Sequence, residues 1–132
     1  MDTGMAAVLG ASLDRNLHGC SHCLVVDIGN SHTLGACLTN GILGGFFEYH
    51  TNHLASQRIE ELLVNLGNGT LEHHKVVSEG GHGAYIQSCP GFNQIEKIVV
   101  TGPRRREIMQ DVNLEYCEGG PLGDTMMSGT VG

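Results

Sequence analysis

Asp27, Gly29 and Thr33 lie on the spacing D-x-G-x-x-x-T within residues 24–35, Leu-Val-Val-Asp-Ile-Gly-Asn-Ser-His-Thr-Leu-Gly. These are residue types that can hold a phosphate. An apolar run that ends in an aspartate fixes a carboxylate in place, and a glycine just beyond it lets backbone N–H groups approach an anion. The same residues equally suit a plain Asp-x-Gly turn between two strands, because short glycine motifs are weak signals alone.

A second group of residues suits metal or proton chemistry. His18, Cys20, His22 and Cys23 form an H-x-C-x-H-C cluster directly before the strand that delivers Asp27. Neutral imidazole and thiolate at this spacing are zinc ligands. Structural zinc sites usually pair two such knuckles and no second C-x-x-C exists, so His32, His50, His53 and His82 would complete a site only if the fold gathers them. His32, Glu48, His50 and His82 are also the candidates for general acid–base chemistry near neutral pH, against the plainer alternative of hydrogen bonding to turns and to each other. Cys37 and Cys89 have no local base to make either one a nucleophile. Met126 and Met127 read as core packing rather than a ligand pair.

These groups must be carried by particular elements. Residues 24–28 are continuously apolar and partly β-branched, which predicts a buried strand. The runs 33–38 and 42–49 flank Thr39-Asn40-Gly41, and Asn-Gly between apolar runs predicts a hairpin. Together they give a three-stranded antiparallel start. Ser56 is placed to cap a helix over 57–66, with Ile59, Leu62, Leu63 and Leu66 in one apolar stripe and Gly67 as its stop. Thr70 is placed to cap a second helix near 71–77. Residues 79–83 read as a loop, and 84–88 as a brief element before Pro90. A buried strand over 95–101 runs into Gly102-Pro103, where proline suits the first residue of a helix. Residues 114–117 suit a short last strand, 6–13 a small apolar element packed on the sheet, and 119–132 a glycine-rich irregular segment. The order predicts an α/β fold with a mixed sheet, as one domain over 1–132.

Composition narrows the function classes. The chain has 132 residues, 40% of them hydrophobic and 16% charged, enough for a globular core. A formal charge of −7 argues against nucleic-acid binding, which needs a basic face. The cluster Arg104-Arg105-Arg106 reads as a solvated helix start. No apolar run approaches the length of a membrane span and no basic leader precedes an apolar segment, so a cytoplasmic protein is expected. The five cysteines are odd in number and lack framework spacing, consistent with reduced thiols.

The strand, the D-x-G-x-x-x-T loop at Asp27, Gly29 and Thr33, and the hairpin that follows resemble the second phosphate loop of the actin-like ATPases, the superfamily of actin, heat-shock chaperone ATPases, sugar kinases and acetate kinases. Val99-Val100-Thr101-Gly102-Pro103 looks like the adenosine-side element of that superfamily, and the segment from Gly123 and Asp124 to Gly129 looks like its closing glycine-rich connection. The resemblance implies a ribonuclease H-like mixed sheet, three antiparallel strands then helices and further strands, forming one half of an actin-like ATPase. It implies ATP and Mg²⁺ as cofactors. Asp27 would hold Mg²⁺ through water, the N–H groups of Gly29 and Asn30 would meet phosphate oxygens, and Thr33 would add a hydroxyl contact. Gly102 would admit the adenine or ribose, with Arg104 or Arg105 near the phosphates or pointing outward.

A narrower resemblance covers nearly the whole chain. Asp2-Thr3-Gly4, Ala6-Ala7, Gly29-Asn30-Ser31-His32-Thr33, Glu48-Tyr49-His50-Thr51, Gly80-Gly81-His82-Gly83-Ala84, Val100-Thr101-Gly102-Pro103-Arg104 and Gly123-Asp124 are similar to an uncharacterised, largely archaeal family labelled as related to pyruvate formate-lyase activation. A radical-SAM activase needs C-x-x-x-C-x-x-C for its iron–sulfur cluster, whereas this chain has only the pair Cys20 and Cys23.

In actin-like ATPases the nucleotide lies between two similar halves, each with a phosphate loop. This sequence matches the second half, so the first is expected either upstream of Met1 or on a partner, a second copy or a separate chain. The leading expectation is a domain that binds nucleotide phosphate with Mg²⁺ when complemented by that half, with the reaction and even enzymatic activity left open. One alternative is a non-catalytic, self-associating module that uses the face left open. The other is a zinc protein built on His18, Cys20, His22 and Cys23.

Overall fold

The computed structural model describes residues 19–118. The proposed element over 6–13, His18, the motifs at Asp2 to Ala7, and everything expected from 119 onward, including Gly123, Asp124 and the pair Met126-Met127, lie outside the described residues.

Three strands open the described chain: β1 (His22–Ile28), β2 (His32–Thr39) and β3 (Ile42–His50). Asn40 and Gly41 join β2 to β3 with φ of 52° and 80°. That paired left-handed geometry is what Asn-Gly supplies in a two-residue hairpin turn. The register slips between Cys37 and Leu38, where Cys37 pairs with Gly45 but Leu38 pairs with Leu43. This leaves Gly44 as the extra residue of a bulge. Its carbonyl accepts from the N–H groups of Gln87 and Ser88, which fastens the end of β4 (Gly83–Ile86) to the bulge.

Helix α1 (Ser56–Asn68) follows β3 after a 3₁₀ turn at Thr51–His53. Its stripe of Ile59, Leu62, Leu63 and Leu66 is fully buried, as the 3.6-residue period requires. Both ends differ from expectation. Ala55, not Ser56, is the N-terminal flanking residue, and the Ser56 hydroxyl donates instead to the Ile108 carbonyl at 2.5 Å. Gly67 lies inside the helix, where an added Cβ would stand 3.0 Å from the Phe92 Cα. It is glycine because a neighbouring 3₁₀ turn (Phe92–Gln94) packs onto it. The stop is Gly69, left-handed at φ 70°, with Thr70 closing the turn by donating its N–H to the Asn65 carbonyl. Thr70 therefore ends α1 rather than capping α2 (His73–Ser78), whose flanking residue is Glu72.

β5 (Lys97–Thr101) leads into α3 (Arg105–Met109), and β6 (Cys117–Glu118) is the last described strand. Pro103 precedes α3 rather than opening it. The six strands lie in the order β4-β3-β2-β1-β5-β6. The pairs from β1 to β4 are antiparallel, and β1 with β5 and β5 with β6 are parallel. Three antiparallel strands continued by two parallel ones beside β1 make a ribonuclease H-like mixed sheet, here with β4 added outside β3.

Alternation along the strands separates two buried faces. Leu24, Val26, Ile28, Phe47, Tyr49, Ile98 and Val100 pack with the buried residues of all three helices. Cys23, Val25, Leu34, Ala36, Leu38 and Val99 form a second cluster on the other face. Gly35 pairs across from Phe47, whose ring lies over it so closely that a Cβ there would be 2.3 Å from a ring carbon.

Candidate functional site

Asp27 follows Cys23 and Val25 in the alternation of β1, which places its side chain on the second face of the sheet. It stands opposite Leu34 on one side and Thr101 on the other, at the C-terminal ends of two parallel strands. That is where open α/β sheets bind ligands. The residue is only 3% exposed, and its Oδ1 is buried without a hydrogen-bond partner among the described residues. Burial pushes its pKa up to about 6. A carboxylate desolvated in this way gains from a bound cation, which supplies the charge the protein interior withholds.

The loop beyond Asp27 is tight. The Gly29 N–H donates to the His32 carbonyl at 3.0 Å, closing a turn with Asn30 and Ser31 exposed at its tip. The amide expected at a phosphate from Gly29 is therefore spent inside the turn, and the exposed part of the loop begins at Asn30. Thr33 lies apart from Asp27. Because Ile28 pairs with Thr33 and Asp27 with Leu34, the Thr33 side chain shares the face of Ile28, opposite the carboxylate. It is fully buried, and its hydroxyl forms a 2.9 Å hydrogen bond with that of Thr51.

Gly102 has φ 102°, and a Cβ there would lie 2.3 Å from the Ile28 carbonyl oxygen. The turn after β5 thus rests directly on the end of β1, and the Arg104 N–H donates to the Ile28 carbonyl at 3.1 Å. The Arg104 guanidinium reaches the Asn30 carbonyl at 3.4 Å and Asn52 Oδ1 at 2.7 Å, and pairs with Glu107. It braces the turn at the mouth of the Asp27 site. Arg105 and Arg106 both pair with Glu118, and Arg105 also donates to the Gly102 carbonyl at 2.7 Å. Arg104 and Arg105 are therefore ion-paired braces, while Arg106 stays largely solvated at the helix start. Nothing in the sequence pattern marked Asn52 as a partner of Arg104, or Thr51 as the partner of Thr33.

The cross-strand register sets His32 beside His50. His82 joins them because its N–H donates to the Glu48 carbonyl at 3.0 Å, laying the start of β4 along the end of β3. His82 Nε2 lies 3.1 Å from His50 Nε2, and the three rings are in mutual contact. Glu48 Oε1 is 4.0 Å from His82 Nδ1, and the His53 ring lies 5.3 Å from that of His50. Desolvation first, then the imidazoles of His82, His32 and His53, hold His50 below its usual pKa, against the pull of Glu48. The four residues named as acid–base candidates are brought together.

The proposed zinc knuckle is not assembled among the described residues. His22 and Cys23 are consecutive on β1 and point to opposite faces. His22 Nδ1 bonds the Thr39 hydroxyl at 3.1 Å, while the N–H groups of Ser21 and His22 converge on Glu96. Burial pushes the Cys23 thiol up to about 11 and that of Cys37 to about 12, so neither is a thiolate at neutral pH.

A groove of about 580 Å³ opens beside Glu96, Lys97 and Tyr116. It lies at the start of β5, the opposite end of that strand from Thr101, and so does not lead to Asp27. Among the described residues no helix is long and apolar enough to cross a membrane.

The sequence profile of a family described as "Putative pyruvate format-lyase activating enzyme (DUF1786)" matches residues 1–107. Comparison with curated proteins gives no match. Among solved structures, the ethanolamine utilization protein EutJ from Carboxydothermus hydrogenoformans is similar at 15% identity and a TM-score of 0.41, over 96% of this chain. This chain spans 53% of the length of that protein.

Proposed function

Since the chain belongs to the family whose profile spans residues 1–107, and since its sheet is ribonuclease H-like, we propose that it is a nucleotide-binding domain of the actin-like ATPase type. ATP with Mg²⁺ is the ligand in this reading. Asp27 would hold the hydrated metal, Asn30 at the exposed turn and the glycine at 102 would line the phosphate and nucleoside side, and Arg104 would keep the turn in place. Gly29 and Thr33 have structural roles, one closing the turn and the other pairing with Thr51. The observation that carries the reading is the buried Oδ1 of Asp27, unpartnered among the described residues, at the ends of β1 and β5. A bare buried acceptor is costly unless something meets it.

When bound, Mg²⁺ supplies neutralisation of phosphate charge. The chain's own contribution is to orient and desolvate: Asp27 is fixed by two neighbouring strands, and the loop is held by Arg104 from one side and the Gly29–His32 hydrogen bond from the other. A second half, from another copy or another chain, would close the nucleotide cleft over this face. The activating role in the family description is not part of this reading: Cys20, Cys23, Cys37, Cys89 and Cys117 do not form the C-x-x-x-C-x-x-C that a radical-SAM activase needs.

Calorimetric titration of ATP·Mg²⁺ tests the proposal. Saturable heat with a dissociation constant of about 1 mM or tighter is expected, equivalent to about 4 kcal/mol of binding free energy. Asp27→Ala should abolish it while circular dichroism stays unchanged. No heat and no thermal shift at millimolar ligand would overturn binding by this chain alone.

A further inference from the structure

One end of the sheet carries nitrogen ligands that the nucleotide reading does not use. His32 and His50 are paired residues on β2 and β3, and they follow Leu34 and Glu48 on the same face as Asp27. His82 arrives from the segment before β4 and completes a three-sided arrangement. The available ring nitrogens of His32, His50 and His82 all lie within 4.8 Å of one another.

We propose that His32, His50 and His82 form a site for a divalent transition-metal ion of the zinc type, with one coordination position open to water or ligand. The distances suit such an ion. Zn–N bonds of about 2.0–2.1 Å in a tetrahedral site place ligand nitrogens about 3.3 Å apart. The His50–His82 pair already stands at 3.1 Å. The widest pair must close by about 1.5 Å, a movement available to surface imidazoles through small changes in their χ angles. His32 and His82 are exposed and His50 partly so, which leaves them that freedom.

The donor set also decides the class of metal. Three imidazoles suit zinc, copper, nickel or cobalt, whereas Mg²⁺ and Ca²⁺ select oxygen ligands. Three protein ligands with an open fourth position is the layout of a catalytic or ligand-exchanging centre rather than of a closed structural one. Glu48 adds the expected outer support. Its carboxylate lies 4.0 Å from His82 Nδ1, on the far side of the ring from the Nε2 that faces His50. A carboxylate there fixes the tautomer and ring direction of a metal-binding histidine. The register of β2 with β3 and the His82–Glu48 backbone bond bring all four residues together without any metal, so the site is pre-organised by the sheet.

The full chain, produced without a histidine tag and stripped with chelator, is titrated with Co²⁺ and then with Zn²⁺. One ion per chain is expected, with Co²⁺ giving visible d–d bands of tetrahedral intensity that Zn²⁺ bleaches. His50→Ala and His82→Ala should each weaken binding by at least about tenfold, with His74→Ala binding as the unaltered chain does. Glu48→Gln should weaken it less and shift the Co²⁺ bands. Circular dichroism monitors folding, and if His50→Ala does not fold, the exposed His82→Gln decides alone. Binding below one ion per chain, octahedral Co²⁺ spectra, or affinity unchanged in His82→Gln would overturn the proposal. Nucleotide is absent throughout, so the result is independent of the Asp27 reading.

Discussion

Replacing Asp27 with asparagine should change how stability depends on pH, and the size of the change follows from its burial. Burial moves the carboxyl from an ordinary 3.8 to about 6 in the folded chain. Between those values the folded protein holds a proton that the unfolded chain has released, so stability falls as pH rises through this window. The contribution is fully present below about pH 4 and lost above about pH 6. At about 1.36 kcal/mol for each pH unit of separation, the burial of ionised Asp27 costs about 3 kcal/mol at neutral pH. Asparagine has no such proton. Urea denaturation of both proteins from about pH 4 to pH 7.5 should show the Asp27 chain losing about 3 kcal/mol more than Asp27→Asn over the range. Any fixed cost of burying the amide shifts one curve without changing its slope, and the histidines contribute equally to both. ATP with Mg²⁺ at about ten times its dissociation constant should return about 1.4 kcal/mol of the loss in the Asp27 chain and none in the variant. Parallel curves for the two proteins would refute the argument that Asp27 is desolvated and unpartnered.

Three further outcomes are expected. Gly102→Ala places a Cβ 2.3 Å from the Ile28 carbonyl at a φ of 102°, so it should lower stability by at least about 3 kcal/mol in the same urea assay. Thr51→Val strands the buried Thr33 hydroxyl and should cost about 1–3 kcal/mol, while adding Thr33→Val should recover much of it, because removing both partners leaves no orphan. Arg104→Ala removes a half-buried side chain whose ion pair is to the exposed Glu107, and should change stability by about 1 kcal/mol. It should still weaken ATP·Mg²⁺ binding measurably in calorimetry, since the Asn30 turn loses its contact with the guanidinium.

Much of the fold is legible because local physics and packing agree. The unbroken apolar run ending in Asp27, the Asn40-Gly41 turn and the Ile59–Leu62–Leu63–Leu66 stripe each permit one favourable arrangement, and each forms. Helix ends were less legible. The apolar stripe points to Gly67 as the stop, but the packing of Phe92 makes Gly67 a close-contact glycine inside the helix, and the left-handed stop is Gly69. The element order, with strands, helices and a strand running into Gly102, likewise pointed to a mixed sheet before any contact was known.

The sequence by itself determined which residue types are available for chemistry: the aspartate at a strand end, the glycines beside it, and the scattered histidines. What they face was decided only by tertiary structure. Antiparallel register put Thr33 and Asp27 on opposite sides of the sheet, although their spacing fits one motif. The period of two separated His22 from Cys23. By contrast, pairing across β2 and β3 and the docking of residue 82 on β3 gathered His32, Glu48, His50 and His82 from well-separated places in the sequence. Spacing along a chain fixes side-chain direction only within one element. Which elements meet, and in what register, depends on the burial of their apolar faces against each other.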